Sequence, residues 1–272
     1  LPLEVAFLNK LGQNFKKLVN ILMLPPVPKT KSSEVTDIIN SAVLTGSISE
    51  FQYFRCKRLL NDIKETEPLD WFLLSNSIIE MYFDNPILAH QYAREVLKIS
   101  NSVSILSNLY FVFLSSVDFS SANENIDKII SLCSKQNLPL ESFIPIDFKP
   151  ITYFLDGILN DDLNYYKRFK KEDFNEFIQF FEIKNKLEID SRVLKHIGSI
   201  LFKCFNSRNV RCRKYEYSFI DDEFLILLYV DRSFDEIDAM NSEIFSKCYD
   251  EGLIDELNKL SYFIIPYEVG VD

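Results

Sequence analysis

The sequence predicts a mainly α-helical protein, with a helix–turn–helix, solenoid-like N-terminal and central region and a small C-terminal α+β module. Three observations carry this reading. Six glycines and ten prolines in 272 residues are too few for a turn-rich β protein. Helix-start signals recur from Ser33 to Ser121 at a nearly constant interval. From Val210 onward the hydrophobic period shortens from that of a helix toward that of a strand.

In chain order, Leu3 to Met23 reads as one amphipathic helix, with Val5, Leu8, Leu11, Phe15, Leu18, Val19 and Leu22 on a shared face. Pro25, Pro26 and Pro28 stop it, because each lacks an N–H and disfavours helix before it. A helix here is expected to cover the open end of a solenoid, with docking to another chain as the functional alternative. Residues 1–30 are thus a leading helix and Pro-rich link, 31–206 a helical repeat domain and 207–272 the α+β module.

The repeat domain is read from three helix pairs. First helices are expected near Ser33, Pro68 and Ser102, at intervals of 35 and 34 residues, and second helices at Ser47, Asn85 and Ser121, at intervals of 38 and 36. Ser47 with Glu50 and Ser121 with Glu124 have the spacing of capping boxes, and Asn85-Pro86 places a capping side chain before a proline at the first helical position. Leu69 to Phe83 is apolar on most sides, as a helix between other helices must be. Two helices per period in the mid-thirties is the pattern of a stacked solenoid.

The stretch Ala89, Tyr92, Ala93, Val96, Leu97 and Ile99, with small residues where a neighbouring helix approaches, resembles the second helix of a tetratricopeptide repeat. The first helices lack that family's Trp-Leu-Gly-Tyr pattern, and no proline follows Ile99. Stacked helix pairs expose a groove lined by first helices, which nominates Asn76, Glu80, Asn108 and Tyr110 as protein-binding positions.

After Lys135 the period breaks. Gln136 to Lys149, with Pro139 and Pro145, reads as a packed loop, and helices resume over 150–159, 162–170, 172–186 and 191–205. The aromatic face of Phe174, Phe177, Phe180 and Phe181 reads as core. Lys214 to Phe219 alternates like a half-buried strand, Asp221-Asp222 suits a turn, and Phe224 to Val230 reads as a strand covered on both faces. Ser233 with Glu236 caps a helix reaching Cys248, Gly252 interrupts it, Leu253 to Leu260 adds a further helical turn or two, and Tyr262 to Tyr267 is a third strand whose Pro266 marks an edge.

A net charge of −10 disfavours non-specific attraction to nucleic acid or anionic membrane and favours a protein partner with a basic surface. No run is long enough for a membrane span. Five scattered cysteines read as reduced thiols of a cytoplasmic protein, and His90 and His196 as structural. No metal or cofactor is expected. The acidic run Asp221, Asp222, Glu223, Asp231, Asp235, Glu236 and Asp238 resembles a strand-end metal site only loosely and reads as turn and helix-start chemistry. The expected function is a protein-binding scaffold or adaptor without catalysis. The alternative is a nucleic-acid-binding accessory that uses Lys167, Arg168 and Lys170 beside Tyr165 and Tyr166, and Arg208, Arg211, Arg213 and Lys214 beside Tyr215 and Tyr217.

Overall fold

Three helix pairs open the described part of the chain: α1 (Lys31–Thr45) with α2 (Glu50–Ile63), α3 (Leu69–Tyr82) with α4 (Pro86–Ile99), and α5 (Val103–Ser115) with α6 (Phe119–Gln136). The computed structural model describes residues 30–159, 162–220 and 223–267. The leading helix expected over 3–23 and the Asp221-Asp222 turn lie outside the described residues.

First helices begin 38 and 34 residues apart and second helices 36 and 33, so the period holds. Two start signals move. Gly46 adopts φ 72°, the left-handed conformation that ends α1, and α2 starts only beyond that turn. The capping box is therefore Ser49 with Gln52, not Ser47 with Glu50. Likewise α6 opens on Asp118, whose carboxylate accepts from the Ser121 N–H at 3.0 Å, so Ser121 sits inside the helix rather than before it.

Within each pair the helices pack on one another, and α1, α3 and α5 touch in succession. This is the solenoid-like stack. It makes α3 an interior element: every residue from Leu74 to Met81 is buried. A small apolar cluster holds α1 and α2 against Ile79, and a larger one runs from Leu74 through the rest of the chain to Ile264.

Beyond α6 the segments shorten. A 3-10 turn (Leu140–Ser142), α7 (Ile151–Leu155), a 3-10 segment (Leu163–Arg168), α8 (Lys171–Leu187) and α9 (Ser191–Ser207) follow. The helix expected over 150–159 stops early because Gly157 takes φ 67° against the start of α9, where an added Cβ would lie 1.9 Å from the Ser191 carbonyl oxygen. The stretch 162–170 is 3-10 rather than α-helical, which suits its use as a ledge for aromatic packing: Tyr166 stacks on Phe177 at 4.0 Å and Phe169 on Phe148 at 5.1 Å.

The module is a three-stranded sheet in the order β1 (Cys212–Ile220), β2 (Glu223–Val230), β3 (Leu260–Pro266). The first pair is antiparallel and the second parallel. A parallel pair needs a crossover, which α10 (Phe234–Asp250, opened by the Ser233–Glu236 capping box) and α11 (Ile254–Leu257) supply. On β2, Phe224, Ile226, Leu228 and Val230 are buried, with the rings of Phe154 and Phe180 against Phe224. Leu225, Leu227 and Tyr229 remain half-buried, so the strand is covered on one face and not on both.

Replacing Gly157 by Ala combines a forced left-handed residue with a backbone collision and is expected to cost about 3 kcal/mol of unfolding free energy. Gly46→Ala, at φ 72° but facing open space, is expected to cost about 1 kcal/mol. Urea denaturation of the two variants distinguishes them, and equal losses would contradict the close approach at Gly157.

Candidate functional site

Of the expected groove residues, Asn76 and Glu80 face inward on α3. Glu80 is fully buried and accepts from Lys57 Nζ at 2.9 Å, Tyr53 OH at 3.1 Å and Asn85 Nδ2 at 3.1 Å. Asn76 Oδ1 accepts from the same lysine at 2.6 Å. A buried carboxylate survives only when paired and hydrogen-bonded, and this set joins α2, α3 and the start of α4. Tyr110 is buried too, its hydroxyl accepting from the Lys149 N–H at 3.2 Å. Only Asn108 is exposed. Three of the four positions thus offer no surface to a partner, because these faces of α3 and α5 pack against neighbouring elements.

The exposed feature of the repeats lies one helix away. Phe51 and Phe54, one turn apart on α2, are 75% and 58% exposed. Tyr53 meets Phe54 edge-on at 5.3 Å and stacks on Phe83 at 3.8 Å, while its hydroxyl is held by Glu80. The buried carboxylate therefore fixes the ring around which the aromatic patch is built. Phe51 and Phe54 lie outside the buried stripe of α2. The buried stripe is Cys56, Leu59, Leu60 and Ile63, and Phe51 is five residues from Cys56, off that stripe on a helix of 3.6 residues per turn.

The second basic stretch is an internal clamp. Arg211 is 5% exposed; its Nη1 donates to the Met81 carbonyl at 2.8 Å and its Nη2 to the Gly46 carbonyl at 2.9 Å. Its Nε lies 2.7 Å from Asp84 Oδ1, and its plane sits over the Tyr82 ring. Arg213 reaches the Gly46 carbonyl at 3.0 Å and the carboxylates of Asp84 and Asp231 at 3.3 Å. Arg208 pairs with Glu243 at 2.8 Å, and Lys214 with Glu216 at 3.0 Å. Such arginines hold the module to the helix pairs and leave little charge for a phosphate backbone. In the first basic stretch Lys167, Arg168 and Lys170 are exposed, but Arg168 already covers the Tyr165 ring at 4.1 Å and Tyr166 is core.

The acidic run is similarly dispersed: Asp231 pairs with Arg213, while Asp235 and Glu236 occupy the first turn of α10. Among the described residues no group of three or more His, Cys, Asp or Glu is placed to hold a metal, and no helix is long and apolar enough to cross a membrane. The five cysteines are free and buried, and burial pushes the Cys56 and Cys212 thiols up to about 12. His196 faces Glu251, and His90 lies 2.7 Å from Asp118. Burial alone would raise the Asp118 carboxyl, but hydrogen bonds from His90 and from the Ser121 hydroxyl and N–H outweigh it and hold the group below the usual carboxylate range. Asp147, partly buried in the loop before α7, is pushed up to about 6 by desolvation. No family model matches this sequence, and neither a curated protein nor a solved structure matches the chain.

Arg211→Ala removes the buried half of the clamp, its bond to the Met81 carbonyl and its share of Asp84 and Gly46, and is expected to cost about 3 kcal/mol, against under about 1 kcal/mol for Arg208→Ala at the surface. Comparable denaturation midpoints for the two variants would contradict the clamp. The pH profile separates the two carboxyls. The raised Asp147 contributes stability that is complete below pH 3.8 and lost as pH rises through about 6. Asp147→Asn is therefore expected to gain about 1–2 kcal/mol above pH 6 and nothing near pH 3. The depressed Asp118 works in reverse: its contribution is present above the ordinary carboxylate range and lost below it, so Asp118→Asn is expected to destabilise at neutral pH. Thermal unfolding from pH 3 to 8 checks both signs.

Proposed function

We propose that this chain is a cytoplasmic, tetratricopeptide-like helical-repeat scaffold that binds another protein and catalyses no reaction itself. The observation that supports this reading best is the aromatic patch of Phe51, Phe54 and Phe83. Isolated exposed apolar side chains are ordinary, but a cluster of large rings at one place on a stacked helical surface is what protein interfaces bury at their centres. The patch is rigid, because Tyr53 is held by Glu80, so a partner does not spend binding energy on ordering it. Glu50, exposed beside Phe51 in sequence, and the overall charge of −10 favour a partner with a basic surface. Of the cations the nucleic-acid alternative relies on, Lys167, Arg168 and Lys170 are exposed, while Arg208 and Lys214, though exposed, pair with glutamates and Arg211 and Arg213 are committed to the clamp.

The test is the double variant Phe51→Ser/Phe54→Ser. Both side chains are largely exposed, so the melting temperature should move by no more than a few degrees. A protein captured by the wild type and identified from cytoplasmic extract should bind the purified variant at least tenfold more weakly by calorimetry. Equal affinity of the two proteins would count against the patch. Capture of RNA instead, with affinity falling steeply as salt rises, would favour the alternative.

A further inference from the structure

Among the described residues β3 is an edge strand, with no strand paired on its outer side. Tyr267 N–H donates to the Val230 carbonyl and the Lys259 carbonyl accepts from Phe224 N–H, so the odd-numbered residues turn their backbone groups toward β2. By the alternation of a strand, Leu260, Tyr262, Ile264 and Pro266 turn theirs outward. One of these outward pairs is met from within the chain. Asn241 on α10 accepts from the Ile264 N–H through Oδ1 at 2.8 Å and donates through Nδ2 to the Ile264 carbonyl at 2.9 Å. Its amide thus makes the two bonds that one residue of a neighbouring strand would make. At Tyr262, the next outward position, the N–H and C=O have no backbone partner among the described residues.

A groove of about 570 Å³ opens at this point between β3, α10 and α11. Ile244, Ile254 and Leu257 lie along it, and Phe245 and Phe263 stand on it 57% and 50% exposed. Proteins normally blunt such an edge with charge, a bulge or a covering segment. The opposite edge follows that rule: β1 carries Arg213, Lys214 and Glu216 and has a register shift between Cys212 and Lys214. By contrast, Leu260 to Pro266 carries no charge, and its protections, the Asn241 amide at Ile264 and Pro266, both lie toward its far end and leave Tyr262 uncovered among the described residues.

The chemistry of the rim selects the occupant. Exposed Asp238 lies one turn before Asn241 on α10, and exposed Asp255 adjoins Ile254 on α11. The lysines on these segments are engaged elsewhere, Lys247 with Glu243 and Lys259 with the Leu187 carbonyl. A second copy of this chain would bring the same carboxylates and a charge of −10 to the edge. We propose that β3 is a strand-addition site for an extended segment of a partner protein, apolar at alternate residues and basic at its flanks. The segment pairs its backbone with Tyr262 and sets apolar side chains beside Phe245 and Phe263, a mode in which main-chain bonds supply affinity and side-chain pockets supply choice. This surface is separate from the aromatic patch on α2, so either stands if the other fails.

The test screens the full chain against a library of ten-residue peptides, half with alternating apolar residues and Lys or Arg flanks, the rest with Glu flanks, helical sequences or a central Pro. Binding is followed by fluorescence anisotropy and by hydrogen exchange at the Tyr262 amide. Expected are binders drawn from the basic extended set, with Tyr262 exchange slowed at least tenfold on binding. Phe263→Arg should weaken them at least tenfold without lowering the melting temperature, as should Asp238→Lys/Asp255→Lys. Four outcomes overturn the proposal: no binder tighter than millimolar, binders that are helical or acid-flanked, binders that leave Tyr262 exchange unchanged, or an amide already protected in the free chain. In the last case, protection that rises with protein concentration would assign the edge to a second copy, and protection independent of it to another segment of the same chain.

Discussion

A buried guanidinium ties the start of the sheet module to the first two helix pairs. Arg211 enters the space between the first and second helix pairs and donates to the carbonyls of two chain turns, at Gly46 and Met81, the first of which it shares with Arg213. Backbone polar groups buried without a partner are costly, and arginine is suited to the task because its donors form a fixed planar fork. The residues beside it extend the seam. Arg232 donates to the Asn209 carbonyl, and Asn209 Oδ1 accepts from the Ile87 N–H at 3.1 Å. Thus the first turn of α4 is capped by a side chain 122 residues away, while Asn85, its own N-cap residue, is turned to Glu80.

That seam explains why the positive charge of an acidic protein is so unevenly employed. Arginines that look like a binding strip when written in a line become a hinge pin when folded, because the carboxylates and carbonyls that neutralise them come from distant turns. The same holds for Glu80. A lone carboxylate on an apolar helix suggests an exposed position, yet it is the centre of a satisfied cluster whose lysine and tyrosine lie on the preceding helix.

Legibility in the sequence followed the range of the forces involved. The Ser233–Glu236 box, the alternation of β1 and the edge position of β3 were readable because each depends on a few adjacent residues. Periodicity was readable too, since a mid-thirties spacing survives shifts of two or three residues. What failed was choice among local equals. Ser47 with Glu50 and Ser49 with Gln52 have the same cap spacing, and the decision falls to Gly46, whose left-handed turn is held by Arg211 and Arg213. The groove residues failed for a related reason: polarity on a helix shows that a partner is needed, not whether that partner is water or another side chain. The exposure of Phe51 and Phe54 follows from helical phase, since both lie off the angle shared by Cys56, Leu59, Leu60 and Ile63.

The long reach of Arg211 also bears on how the molecule is made. Its contact with Gly46 spans 165 residues, so a ribosome adding about 5–20 residues per second finishes the first helix pair roughly ten to thirty seconds before the guanidinium that closes it emerges. During that interval, among the described residues, α1 and α2 are supported by their own small apolar cluster and the neighbouring helices. The nascent chain therefore assembles from its beginning but locks from its end.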